Sequence, residues 1–183
     1  MSMRETCMRK RLALTAALAL GLSVANAADA PRFGQPISPG ELAPWDISIA
    51  PDGAGLPPGS GTPAQGATVY AERGCALCHG EKGAGGPSGP LVGGGPLDRT
   101  DRDPVKLIGN YWPYATTVFD FTRRAMPWAS PKTLTDNEVY ALTAYILALN
   151  KIIGENEVMN AETLPKVKMP NRDGFISKYP EKH

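Results

Sequence analysis

Histidine and cysteine are scarce in this chain of 183 residues, with two of the first and three of the second. A structural zinc site takes four thiolate or imidazole ligands. Beyond the N-terminal stretch only Cys75, Cys78, His79 and the terminal His183 remain to supply them, which argues against one. Charge of one sign is missing too: 19 Lys and Arg against 18 Asp and Glu leave a formal charge of +1 with no basic cluster, so nothing points to nucleic acid. The one long apolar run, Leu12 to Val24, is shorter than the ~20 residues a membrane-spanning helix needs. No internal repeat is present. No G-x-x-x-x-G-K-[ST] pattern marks a phosphate cradle, although eight glycines fall between Gly80 and Gly95. What the chain does have is punctuation, 20 Gly and 18 Pro, which implies long loops around a few helices.

The N-terminus carries Arg4, Arg9, Lys10 and Arg11, then the apolar run, then Ala25-Asn26-Ala27, the pattern of a secretory signal with a small-residue cleavage site. Residues 1–27 are therefore expected to be removed on export to the periplasm. Cleavage takes away four basic residues and Glu5, lowering the formal charge by 3, from +1 to −2, and it removes Cys7. No membrane span remains after it.

The chemistry lies in Cys75-Ala76-Leu77-Cys78-His79. A bare C-x-x-C could be a disulfide, a redox pair or half a zinc site. The following histidine turns the reading to covalent haem c, one per chain: two thiols at this spacing add across the vinyl groups, and the adjacent imidazole reaches the iron through Nε2. A ligand imidazole needs its Nδ1 proton accepted, commonly by a backbone carbonyl. The glycine-rich loop after His79 is placed to supply one, and Pro90 is the expected acceptor. For the opposite face of the iron, three methionines follow the signal: Met126, Met159 and Met169. Met126 sits between two expected helices and is stiffened by Pro127, so it is the expected second ligand. Met169, also followed by proline, is its rival.

Thr62-Pro63-Ala64-Gln65 predicts a helix start, with Gly66 facing a second helix and Gly74 as the stop. Asp103-Pro104 predicts a short helix around 105–108, and a further helix is expected from about Ala115 to Arg124. Thr135 and Glu138 form a capping box before a helix whose apolar face is Val139, Leu142, Tyr145, Ile146 and Leu149. Tyr111, Trp112 and Tyr114 are read as core, with packing on the haem edge as the alternative. This divides the chain into a signal (1–27), an irregular Pro/Gly-rich arm (28–61), a helical domain (62–153) and a C-terminal extension (154–183). Phe33, Ile37, Leu42, Trp45, Ile47, Ile49 and Leu56 are too many large apolar residues for a free linker, so the arm is expected to pack on the domain with Trp45 buried. The extension, with Phe175 and Ile176, is expected to reach a partner.

Cys75 to His79, Gly89-Pro90-Leu91, Met126-Pro127 and Ala144-Tyr145-Ile146 together resemble class I cytochrome c. That resemblance implies an all-α class I cytochrome c fold, a few helices around a covalent haem. The flanks, among them Ala43-Pro44-Trp45-Asp46-Ile47, Gly109-Asn110-Tyr111-Trp112-Pro113-Tyr114 and Lys168-Met169-Pro170-Asn171-Arg172-Asp173-Gly174-Phe175, are similar to the cytochrome subunits of periplasmic sulfite dehydrogenase and of the sulfane dehydrogenase of the Sox system. A single C-x-x-C-H favours the sulfite type. The resemblance implies an electron-transfer subunit with no substrate chemistry of its own. It would take electrons from a molybdenum-cofactor dehydrogenase subunit and pass them to a downstream cytochrome or oxidase. The alternatives are a general soluble carrier for another dehydrogenase or oxidase, or a haem enzyme or gas sensor with a labile distal ligand, for which the sequence offers no distal histidine.

Overall fold

The computed structural model describes residue 34 and residues 36–97 and 103–176. The expected signal sequence, its Ala27 junction and Phe33 lie outside them. Contacts divide the chain into two units, Met1–Trp45 and Asp46–His183. In the first, the described residues form one helix that the arm's composition does not announce, α1 (Pro39–Leu42). Ser38 and Glu41 cap it reciprocally and Pro39 opens it, so the start signal was present in a segment with no helical period. Trp45, expected to be buried, is 74% exposed. The four residues of α1 bury no side chain, so the turn that leads into Trp45 offers it no apolar face.

The second unit holds β1 (Ser60–Gly61), α2 (Pro63–Glu72), α3 (Cys75–His79), α4 (Ala115–Ala125), α5 (Asp136–Leu149), β2 (Met159–Asn160) and a 3₁₀ turn at Leu164–Lys166. Helix α2 starts as expected, with Pro63 at its first position and Thr62 and Gln65 exchanging side-chain bonds to each other's backbone N–H. It crosses α5 at Gly66, where any Cβ would run into the Ala141 carbonyl and the Tyr145 side chain. Helix α5 starts on the Thr135–Glu138 capping box. Its burial is wider than one apolar stripe, for Tyr140, Ala141, Thr143, Ala144 and Leu147 are buried alongside Val139, Leu142 and Ile146. Such a helix is enclosed on several sides. Tyr140 stacks on Phe119 of α4 at 4.5 Å between centroids and donates its hydroxyl to the Pro57 carbonyl at 2.8 Å.

No helix forms at 105–108. Asn110, nearly buried, accepts the Leu107 N–H at 2.7 Å and donates to the carbonyls of Val105 and Gly94, both at 2.8 Å. Side-chain bonds of this kind compete with the helical ladder and fix the segment as a loop.

The core joins Phe119, Val139, Tyr140 and Leu147 to Met159, Leu164 and Met169, each at most 2% exposed. The C-terminal extension helps complete this core through Met159, Leu164 and Met169. β2 pairs antiparallel with β1, Ser60 opposite Asn160 and Gly61 opposite Met159. Its described end stays outside, with Phe175 half exposed on the Tyr111 ring (centroids 5.2 Å apart) and Ile176 87% exposed. Within the second unit the arm packs as expected, since Ile49 and Leu56 lie against the core.

Candidate functional site

Gly74 ends the α2 turn in the left-handed region, φ 71°, a conformation that glycine adopts without the penalty a Cβ brings. The reversal places Cys75 to His79 on a single short helix, α3. Cys75 is half-buried, and burial pushes its thiol pKa up; Cys78 is exposed. Neither is in a disulfide.

Beyond His79 the glycine-rich loop folds back on α3. Ser88 N–H donates to the Cys78 carbonyl at 2.8 Å, and Leu91 N–H to the Gly83 carbonyl at 2.7 Å. Asn150, at the C-cap of α5, holds the far side, donating to the Leu91 carbonyl at 2.9 Å and accepting the Gly93 N–H at 3.3 Å. So braced, the loop brings the Gly89 carbonyl to 3.0 Å from His79 Nδ1. A carbonyl only accepts, so the proton sits on Nδ1 and the Nε2 lone pair is free to bind a metal. The acceptor is therefore Gly89 and not the expected Pro90. The proline ring restricts the residue before it to extended backbone, and that residue's carbonyl is the one turned to the imidazole. Tyr70 of α2 supports the start of the same loop through a 2.8 Å bond from its hydroxyl to the Gly80 carbonyl. Burial, with a smaller contribution from Cys75, pushes its pKa up to about 12, so the donor proton is kept.

Met126 caps the C-terminus of α4, where its N–H still reaches the Thr122 carbonyl at 3.1 Å while its own backbone is already extended. Cys75, Cys78, His79, Pro90 and Met126 all line one cavity of about 620 Å³. Its walls are mainly apolar, among them Leu91, Ile108, Trp112, Val118, Phe121 and Leu142. Trp112 also packs edge-on to Phe121, ring centroids 5.7 Å apart, and lies against the core as well as in the cavity wall. Met169 is absent from this wall and is 1% exposed in the core, so it is not placed to compete with Met126.

The cytochrome c family pattern matches residues 63–150. A chain in the crystal structure of the sulfane dehydrogenase SoxCD from Paracoccus pantotrophus is 39% identical and superposes with a TM-score of 0.72, the match covering 83% of this chain and 73% of that one. The chain belongs to the cytochrome c family. No curated protein matches it. Its helical second unit is the class I cytochrome c fold, an electron-transfer domain, and the family implies covalent haem c, for which Cys75 and Cys78 have the spacing.

The cavity of this cytochrome fits such a group. Two thiols, an imidazole with a free Nε2 and a thioether share one apolar chamber, and no cluster of His, Cys, Asp and Glu suited to a bare metal ion occurs among the described residues. Gly89 and Asn150 are the positioning residues that the motif alone did not reveal. A polar side chain at a helix C-cap was the available signal for Asn150, whereas the Gly89 carbonyl belongs to the backbone and left none.

Proposed function

We propose that the protein is a monohaem electron carrier with His79 and Met126 as axial ligands and thioethers at Cys75 and Cys78. The observation that carries this reading is the convergence of all four side chains on one cavity, with His79 Nδ1 already engaged by Gly89. Bound there, haem would supply a one-electron couple. The chain would hold the imidazole in one tautomer, keep water off an apolar chamber and set the potential through ligand type and burial. A thioether ligand raises the potential relative to two imidazoles, which suits accepting electrons from an upstream dehydrogenase.

The assignment of the second ligand has a direct check. Met126→Ala is expected to abolish the weak near-infrared sulfur-to-iron band of the oxidised protein while leaving haem attached. Met169→Ala is expected to keep the band and lower thermal stability by about 2–5 kcal/mol, the usual cost of emptying a buried Met site. A band lost in the second variant and kept in the first would reverse the assignment.

The donor proposed is a molybdenum-cofactor dehydrogenase acting on sulfite or a related sulfur compound in the periplasm, with a downstream cytochrome or oxidase as acceptor. Support comes from the flanking segments and from the similarity to a chain of sulfane dehydrogenase SoxCD. No helix among the described residues is long and apolar enough to cross a membrane. The test is reduction of the oxidised protein by the co-purifying dehydrogenase, with sulfite in one arm and a sulfane-sulfur substrate in the other. Reduction with sulfite alone supports the sulfite type, and reduction only in the second arm moves the assignment to the sulfane type. Failure of both leaves the general carrier as the reading. Phe175 and Ile176 are exposed apolar residues at the described end of the tail, and replacing both by serine is expected to slow this reduction several-fold with the haem spectrum unchanged.

A further inference from the structure

The cavity wall carries two cationic residues, Arg73 and Lys106, and the fold treats them differently. Lys106 meets Asp103 at 3.3 Å, where the carboxylate side chain is 93% exposed and the attraction is screened by water. Arg73, the C-cap of α2 two residues before Cys75, directs Nε and Nη2 to one oxygen of Glu138 at 2.8 and 2.6 Å. The second Glu138 oxygen accepts the Thr135 N–H at 2.7 Å and hydroxyl at 2.8 Å, the cap of α5. The Glu138 side chain is only 19% exposed. Burial opposes its ionisation, yet the Thr135 N–H and the guanidinium together hold its pKa below the ordinary value. One carboxylate thus closes a helix start with one oxygen and neutralises a cation of the cavity wall with the other.

We propose that Arg73 and Glu138 are a charge-compensated pair that sets the reduction potential of the group held in the cavity, Glu138 cancelling a positive charge that the wall would otherwise turn on the iron. The proposal rests on the haem reading given above. Oxidised iron carries one more positive charge than reduced iron, so an uncompensated guanidinium in the wall disfavours oxidation and raises the potential. An uncompensated carboxylate lowers it. Arg73 is part of the wall and Glu138 is not, so removing the nearer charge, Arg73, has the larger effect. Arg73 is the positioning partner in this scheme and touches no reacting atom.

The experiment is spectroelectrochemical titration of the haem-loaded protein and four variants at low and high salt. Glu138→Gln keeps an oxygen for the Thr135 cap and should raise the midpoint potential. Arg73→Gln should lower it by more. The double variant should return to the wild-type value, and Arg73→Lys, which keeps the charge, should stay near it. Both single shifts should shrink at high salt, because Arg73 is partly exposed. A merely mechanical tie between α2 and α5 would move both single variants in the same direction, and that result, or no shift at all, overturns the proposal. Haem content and the sulfur-to-iron band are recorded on the same samples. Wild-type protein that holds no haem overturns the functional reading together with this proposal, whereas haem-loaded protein with shifts of one sign overturns this proposal alone.

Discussion

Cys75→Ser/Cys78→Ser protein is expected to show no haem-stained band on a denaturing gel, and each single serine variant to retain at most one thioether. Nothing else in the chain offers a covalent bond to a macrocycle, since the remaining cysteine, Cys7, lies in the expected signal. His79→Ala should be nearly as severe for a different reason. It removes the imidazole proposed as the proximal ligand, together with its tie to Gly89, and leaves the Ser88–Cys78 backbone bond as the contact between the α3 helix and the glycine-rich loop. Covalent haem per protein, read from the stained gel against total protein, is expected to fall at least about tenfold in the double cysteine variant, a one-electron carrier without its cofactor being inactive. Full staining of that variant would end the covalent assignment.

Truncation after Ile153 is the second large effect, and it acts on stability. The removed segment contains Met159, Leu164 and Met169, none more than 2% exposed, and the strand that pairs with Ser60–Gly61. Emptying one such site costs roughly 2–5 kcal/mol, so three approach the whole of a domain's usual ~5–15 kcal/mol. The truncated protein is expected to be largely unfolded at 25 °C by far-ultraviolet circular dichroism. Truncation after Met169 instead, which removes the exposed Phe175 and Ile176 and keeps the buried set, should leave a folded domain with a slower partner reaction. A cooperative melt of the shorter protein within a few degrees of the full chain would show that the tail is dispensable for folding.

The sequence carried most of the site because haem attachment is written in side chains at fixed spacing. Cys75, Cys78, His79 and Met126 were readable as types in a pattern, and the helices that deliver them announced themselves through Thr62-Pro63 and the Thr135–Glu138 box. What was not legible depended on backbone or on distance. The carbonyl facing His79 belongs to Gly89, and no residue type marks a carbonyl. The segment at 105–108 had a helix start, but Asn110, a few residues on, took the Leu107 N–H and the Val105 carbonyl. Trp45 was misjudged through the assumption that large apolar side chains show where a segment goes. Burial depends on what faces them, and a linear pattern records only spacing. Arg73 and Glu138 are unremarkable residues of two helices until the crossing at Gly66 brings those helices side by side.

The pairing of Ser60 with Asn160 has a temporal side. It closes a loop of about a hundred residues, and contacts so remote in sequence form late, after the local helices and after the loop-closure entropy has been met. The buried residues that come with it, Met159, Leu164 and Met169, belong to the same core as Phe119 and Leu147. Until they are in place that core is incomplete, whereas the helix that carries Cys75 and Cys78 closes on local bonds alone. The fold therefore has an interval between local order and closure, and the pairing of the two short strands ends it.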